Sequence, residues 1–265
     1  LAYATSDGGA AFPVYSPSKA TISIDGGKTV TITEDTQYPF DNTLRFTLDM
    51  KGKATFPLYF RIPSWTKNAT IAVNGKILSA ELTPGQYARV ETRWKKGDTV
   101  ELVFPMELSV RRWAVNQNSA SVDYGPLTLS LRIKERYEKR DSRKTAIYDS
   151  NWIEGADSEK WPTYEIYAES PWNYALVLPD NNSTAAFTVE KTAWPADNQP
   201  FAEGAAPIIV KAKGRRIPSW TIDDTGLTGV LPSARAARSE TIEDIILVPM
   251  GSQRLRISAF PTAAE

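Results

Sequence analysis

The chain has 265 residues, enough for one large domain or two of ordinary size, each with a core of its own. It contains no cysteine and no histidine, which excludes typical zinc, copper or iron sites and any Cys–His or Ser–His–Asp machinery. Lys and Arg total 31, as do Asp and Glu, so the formal charge is zero and there is no basic excess to suit a nucleic acid.

The densest basic run, Lys134 to Lys144, is broken by Glu135, Glu138 and Asp141 and reads as a solvated face. No apolar run approaches membrane-spanning length, so no membrane insertion is expected. The chain starts at Leu1 without an initiator Met or a signal peptide, and is expected to be an excised mature region or a fragment.

Along the chain the dominant period is two. Ala20 to Ile24 and Lys28 to Thr33 flank Asp25-Gly26-Gly27, which predicts a hairpin. Leu44, Phe46 and Leu48 alternate with Arg45, Thr47 and Asp49, as do Phe56, Leu58, Phe60 and Ile62 with their neighbours. Ile71 and Val73 lead into Asn74-Gly75, the strongest short hairpin signal, because both turn positions need positive φ. Val100, Leu102 and Phe104 follow a turn at Lys96-Gly97-Asp98. No amphipathic helix stands out in this half.

A second series starts after Pro105-Met106, with Val122, Tyr124, Leu127, Leu129, Leu131 and Ile133. Residues 137 to 163 are polar and predict a long irregular loop. Strand-like runs resume at 164–167, 172–178, 186–190, 207–211, 245–248 and 254–259. Short strands with frequent turns predict an all-β fold of two tandem antiparallel β-sandwiches, residues 1–110 and 111–265.

The pentapeptide RIPSW occurs twice, at Arg61 to Trp65 and at Arg216 to Trp220, and each copy ends a strand-like run. Pro has no N–H and terminates a ladder, after which Trp can fold back over the sheet end. The flanks of the two copies disagree, which favours a recurring strand-end device over a duplication.

The runs FPLYFRIPSWTKNATIAVNGK and GQYARVETRWKKGDTVELVFPM resemble the first C-terminal β-sandwich of glycoside hydrolase family 127, the β-L-arabinofuranosidase-like group to which family 146 is related. TITEDTQYPF upstream, and VDYGPLTLSL, SPWNYAL and LVPMGSQRLRISAFP downstream, extend the resemblance over nearly the whole chain. It implies a bacterial carbohydrate-metabolism enzyme whose (α/α)₆ barrel precedes two sandwiches. In such enzymes the barrel holds a glutamate acid/base, a cysteine nucleophile and a zinc ion. None of these motifs has a counterpart in this chain, so no catalytic residue carries over, no cofactor is expected in the chain itself, and zinc is expected only in the barrel. The implied partners are that N-terminal barrel, a second copy across a dimer interface, and plant-type glycans. Absence of Cys suits a periplasmic or secreted protein.

Three other chemistries are legible. The adjacent acids Glu34-Asp35, Asp223-Asp224 and Glu243-Asp244 have the side chains for glycoside hydrolysis, which uses two carboxylates about 5–9.5 Å apart, but consecutive strand residues point to opposite faces. In DSNWIEGADSE, Asp149, Asn151, Glu154, Asp157 and Glu159 supply oxygen ligands suited to calcium, although Ile153 and Gly155 depart from the EF-hand pattern, and a plain acidic loop is the default. Trp152 and Trp161 sit among polar residues where an indole plane exposed for sugar stacking would form. Trp65, Trp94, Trp172 and Trp220 lie at or beside strand ends and read as packing residues, while Trp113, Tyr137 and Tyr148 suit an interdomain or subunit contact.

Three functions follow. The leading one is a non-catalytic β-sandwich region that supports a family 127-like barrel, and it predicts no turnover by this chain alone. A free-standing carbohydrate-binding module would bind glycans through Trp152 and Trp161. An autonomous carboxylate-pair glycosidase would turn over substrate by itself with a bell-shaped pH profile.

Overall fold

The computed structural model describes residues 2–79, 82–140, 157, 159–179, 183–224, 226–233 and 235–263. The chain divides into two compact units, Leu1–Ser109 with Tyr124–Leu127, and Val110–Asp123 with Thr128–Glu265. Both are built from strands; the only helical pieces among the described residues are three short 3₁₀ turns.

The first unit is a two-sheet sandwich. Its four-stranded sheet runs β1 (Tyr3–Ala4), β2 (Ala10–Phe12), β6 (Lys53–Arg61), β9 (Tyr87–Lys95). The six-stranded sheet runs β3 (Ser18–Ile24), β4 (Lys28–Thr36), β5 (Thr43–Met50), β10 (Thr99–Val103), β7 (Thr70–Val73), β8 (Lys76–Ile77). The ladders are antiparallel except for β2 with β6. Alternation decides what is buried: Leu44, Phe46, Leu48 and Met50 of β5 and Phe56, Leu58 and Phe60 of β6 point into a shared core, while their neighbours face out. Trp94 is completely buried, and its indole N–H donates to the Phe56 carbonyl at 2.8 Å.

The predicted turns form as their residue types require. Asn74 and Gly75 have φ of 50° and 78° between paired Val73 and Lys76, the two positive values a tight hairpin needs. Asp98 locks this end of the sheet: its buried carboxylate accepts the Lys95 N–H at 2.8 Å and the Asn74 side-chain amide at 3.1 Å.

The second unit rests on one eight-stranded sheet. Its order is β11 (Leu108–Trp113), β12 (Ser119–Tyr124), β13 (Leu127–Leu131), β19 (Ile242–Pro249), β18 (Ile208–Arg216), β16 (Tyr174–Val177), β20 (Thr262–Ala263), and β17 (Thr188–Lys191) shares an edge of β18. One C-terminal segment touches both sides of this order: Phe260 exchanges two backbone hydrogen bonds with Ala120, and β20 pairs with β16 in parallel. The sheet therefore bends round on itself and encloses Val122, Leu129, Leu176, Val210, Leu247 and Phe260. The all-β, sandwich-like class read from the sequence holds.

Two elements differ from the expectation. The predicted loop from residue 137 begins as a strand, because β14 (Glu135–Arg140) pairs with β15 (Thr163–Ala168) in a two-stranded ribbon. Its polar composition hid it: a ribbon with both faces near solvent carries no apolar alternation. Conversely, 254–259 is not a strand. The buried Glu135 carboxylate accepts the backbone N–H groups of Arg254 and Leu255 at 2.7 Å each, so a side chain takes donors that a ladder would have used.

Both RIPSW copies end a strand at their Arg, since β6 stops at Arg61 and β18 at Arg216. Ile62 and Ile217 are buried, and each still donates its N–H, to Gln86 O and Asn173 O at 2.8 Å. Trp65 then meets Phe104 edge-on at 6.2 Å, and Trp220 meets Trp172 at 5.1 Å.

Pro57 lies inside β6 without breaking the sheet. The β2 ladder reaches only as far as Leu58, paired with Ala10, and the next residue on that side is Gly9. A Cβ on Gly9 would fall well inside contact distance of the Pro57 carbonyl oxygen and 2.7 Å from its Cγ. Gly9→Ala is therefore expected to cost about 1–3 kcal/mol in equilibrium urea unfolding. An unchanged midpoint would show that this close approach is not tight.

Candidate functional site

The best-formed polar constellation lies wholly within the first unit, on the outer face of the four-stranded sheet. The turn between β1 and β2 closes on itself. Thr5 N–H donates to Gly9 O at 3.0 Å, Gly8 N–H to Thr5 O at 3.1 Å, and Gly9 N–H to the Thr5 hydroxyl at 3.0 Å. Gly8 supplies the positive φ, 77°, that this loop requires. The turn thereby carries Asp7 over the sheet, where its carboxylate accepts the Thr5 hydroxyl at 2.5 Å and the Tyr59 hydroxyl at 2.6 Å.

Strand register supplies the rest. Tyr3 pairs with Ala11, Ala11 with Tyr59 and Tyr59 with Arg89, which sets one row across four strands. Arg89 Nε donates to the Tyr59 oxygen at 3.1 Å, and its guanidinium pairs with Glu91. Tyr87 is two residues before Arg89 on the same face. Ala11 is the only small member of the row, and it leaves the floor low between Tyr3 and Tyr59, two strand spacings or about 10 Å apart. Thr5, Ser6, Asp7, Ala11, Tyr59 and Tyr87 line a cleft of about 410 Å³. Hydrogen bonds from Thr5, then Tyr59, hold the Asp7 carboxyl below its ordinary pKa, so it is ionised at neutral pH.

The residues singled out from the sequence are distributed elsewhere. Trp152 lies outside the described residues. Trp161 is 64% exposed; its backbone N–H donates to Asp157 O at 2.9 Å, and the Lys160 ammonium is 5.8 Å from its ring centroid. Of the acidic loop, Asp149, Asn151 and Glu154 lie outside the described residues. Asp157 spends one carboxylate oxygen on the Glu159 and Lys160 N–H groups, and Glu159 pairs with Lys139.

Adjacent acids on strands do diverge. Glu243 accepts the Tyr174 hydroxyl at 2.7 Å and pairs with Arg216, whereas Asp244 pairs with Lys213. Asp223 closes a turn by accepting the Leu227 N–H at 3.0 Å. Asp35 is exposed while Glu34 is buried on the inner face of β4, opposite Ser18 and Phe46. Ser18 donates to Glu34 at 3.2 Å. Burial pushes the Glu34 carboxyl up to about 7, against a smaller opposing effect of that hydroxyl.

Sequence reading missed the Asp7 cleft. The alternation of QYARVETR was a signal for Tyr87, Arg89 and Glu91 on one outer face. Nothing local marks Asp7 as their neighbour.

Residues 10–106 match the family model described as Beta-L-arabinofuranosidase, GH127 middle domain. That stretch is similar to the GH127 middle domain. The resemblance read from the sequence is borne out, and in fold it extends beyond this stretch. A GH127 β-L-arabinofuranosidase from Geobacillus stearothermophilus T6 matches over 100% of the chain at 19% identity and a TM-score of 0.62. A solved glycoside hydrolase matches over 96% at 23% identity and 0.61, and a further GH127 β-arabinofuranosidase over 98% at 16% identity and 0.60. These similarities are in fold. The chain spans 35% of the first of these structures and 36% of each of the others. No curated protein gives a significant match.

Glu34 gives a pH test. It ionises with a pKa of 4.5 when unfolded and about 7 when folded. A raised carboxyl pKa means that its favourable contribution is complete below pH 4.5 and is lost as pH rises towards 7 and beyond. Glu34→Gln, neutral at every pH, is expected to melt above the parent protein at pH 8 and together with it at pH 4. Equal melting temperatures at both pH values would show that the carboxyl is not desolvated.

Proposed function

We propose that this chain is the non-catalytic β-sandwich region of a family 127-type glycoside hydrolase, and that it braces a catalytic barrel supplied by the same protein. The observation that carries this reading is the GH127 middle-domain match at residues 10–106, set in a whole-chain fold that spans about a third of each of the three solved glycoside hydrolases it matches.

The zinc that the resemblance implies does not fit this chain. Its softer ligands are missing because there is no Cys or His, and among the described residues no group of three or more His, Cys, Asp or Glu is placed to share an ion. Zinc and the chemistry it supports are therefore assigned to the barrel. The reaction assigned to the whole protein is release of a terminal L-arabinofuranose-like sugar from plant-type glycans with retention.

The β14–β15 ribbon is the surface assigned to a contact with that catalytic part. Tyr137 and Tyr164 meet edge-to-face at 6.2 Å on one face and are 42% and 48% exposed. On the other face Tyr167 lies under the Arg136 guanidinium at 4.7 Å. Aromatics and arginine are the side chains that interfaces favour. A second copy of the chain is the alternative occupant.

The experiment compares the chain alone with the protein that carries it on an aryl β-L-arabinofuranoside. Hydrolysis is expected from the whole protein and none from the chain. Deleting the chain is expected to lower the melting temperature of the remainder. Turnover by the repurified chain, or an unaltered melting temperature after deletion, would overturn the proposal.

A further inference from the structure

The chain of contacts Thr5–Asp7–Tyr59–Arg89–Glu91 fixes five polar side chains on an outer sheet face, where the core makes no demand on them. A carboxylate has about four acceptor positions, and Asp7 commits two of them, to Thr5 and Tyr59. A guanidinium has five N–H donors, and Arg89 commits one to Tyr59 and one to Glu91. Unused acceptors and unused donors therefore stand close together, held in place by each other.

Both signs of charge are present: Asp7 and Glu91 are negative, and Arg89 is positive. A phosphate would meet the two carboxylates, and an ammonium ion would meet the Arg89 guanidinium. A neutral polyol satisfies both sets, because each hydroxyl donates one hydrogen bond and accepts others.

Tyrosines complete the pattern. Tyr3 and Tyr87 are 59% and 49% exposed, and Tyr59 borders the cleft from β6. Their rings offer electron-rich faces to C–H groups. Ala11 forms a low floor beside Tyr59 and Tyr87, and a cleft of about 410 Å³ is at the small end of ligand sites.

We propose that the outer-face cleft lined by Asp7, Tyr59 and Tyr87, with Arg89 hydrogen-bonded to Tyr59 beside it, is a binding site for a neutral saccharide, one pentose or hexose ring in extent. Hydroxyls of the sugar donate to Asp7 and accept from Arg89, and a C–H face of its ring lies on a tyrosine. The site is shallow and solvent-facing, so single-ring ligands bind at millimolar concentration. It stands on the cleft alone and survives or fails independently of the role proposed above.

The test is an amide NMR titration of the full chain with L-arabinose and with D-xylose. Sodium phosphate and tetramethylammonium chloride serve as the anionic and cationic comparators. At least one sugar is expected to give saturable shifts confined to residues 5–11, 59 and 87–91. Asp7→Asn and Tyr87→Ala are each expected to weaken that binding about tenfold, the loss expected of one charge-assisted contact or one aromatic face, without altering the melting temperature. Tyr87 is exposed at the end of β9, so its variant remains informative even if Asp7→Asn disturbs the turn. Absence of saturation with both sugars, sugar shifts indifferent to both variants, or binding of phosphate or tetramethylammonium alone would overturn the proposal.

Discussion

Three phenylalanines join the two sheets of the first unit. Phe12 stacks on Phe60 with ring centroids 5.3 Å apart and planes 9° from parallel, and both meet Phe46 of the facing sheet at 4.8 and 5.0 Å. Each is almost fully buried. The constraint behind this stack is general: a strand has two faces, no α-helix among the described residues covers either, and an apolar face must find another sheet. Once Phe60 is committed inward, Tyr59 and Arg61 must point outward, and the same logic sends Arg89 and Glu91 outward from Val90. The polar cleft on the outer face is a consequence of the apolar core on the inner one.

The second unit meets the same constraint differently. Its C-terminal segment joins Ala120 at one side of the sheet order and β16 at the other, so a single sheet encloses its own core. Where the backbone leaves the ladder, side chains take over its hydrogen bonds. Glu135 does this for residues 254 and 255, and Gln253 accepts the Ile133 N–H at 2.8 Å. Such substitutions satisfy the backbone without leaving the period-two trace of a strand.

That difference explains which parts were legible in the sequence. Leu44, Phe46 and Leu48 advertise their strand because one face is dry and the other wet. Asn74-Gly75 advertises its turn because few other pairs tolerate two positive φ values. β14 went unread because its two faces are chemically alike, and 254–259 misled because Leu255 and Ile257 alternate without forming a regular ladder. The cleft was out of reach for another reason: it needs the register that brings residues 3, 11, 59 and 89 into one row. Register is a property of pairing, and a single strand does not contain it. The family resemblance rested on long ordered runs and was legible; a small site made of turn and register was not.

Neighbouring residues on β6 have separate duties, Phe60 for stability and Tyr59 for the proposed outer site. Equilibrium urea unfolding of Phe60→Ala and Tyr59→Ala tests this directly. Phe60→Ala is predicted to lose about 3–5 kcal/mol, the usual cost of a large cavity. Tyr59→Ala is predicted to lose no more than about 1 kcal/mol, as for a surface side chain. Comparable losses from the two substitutions would contradict the division between core and site.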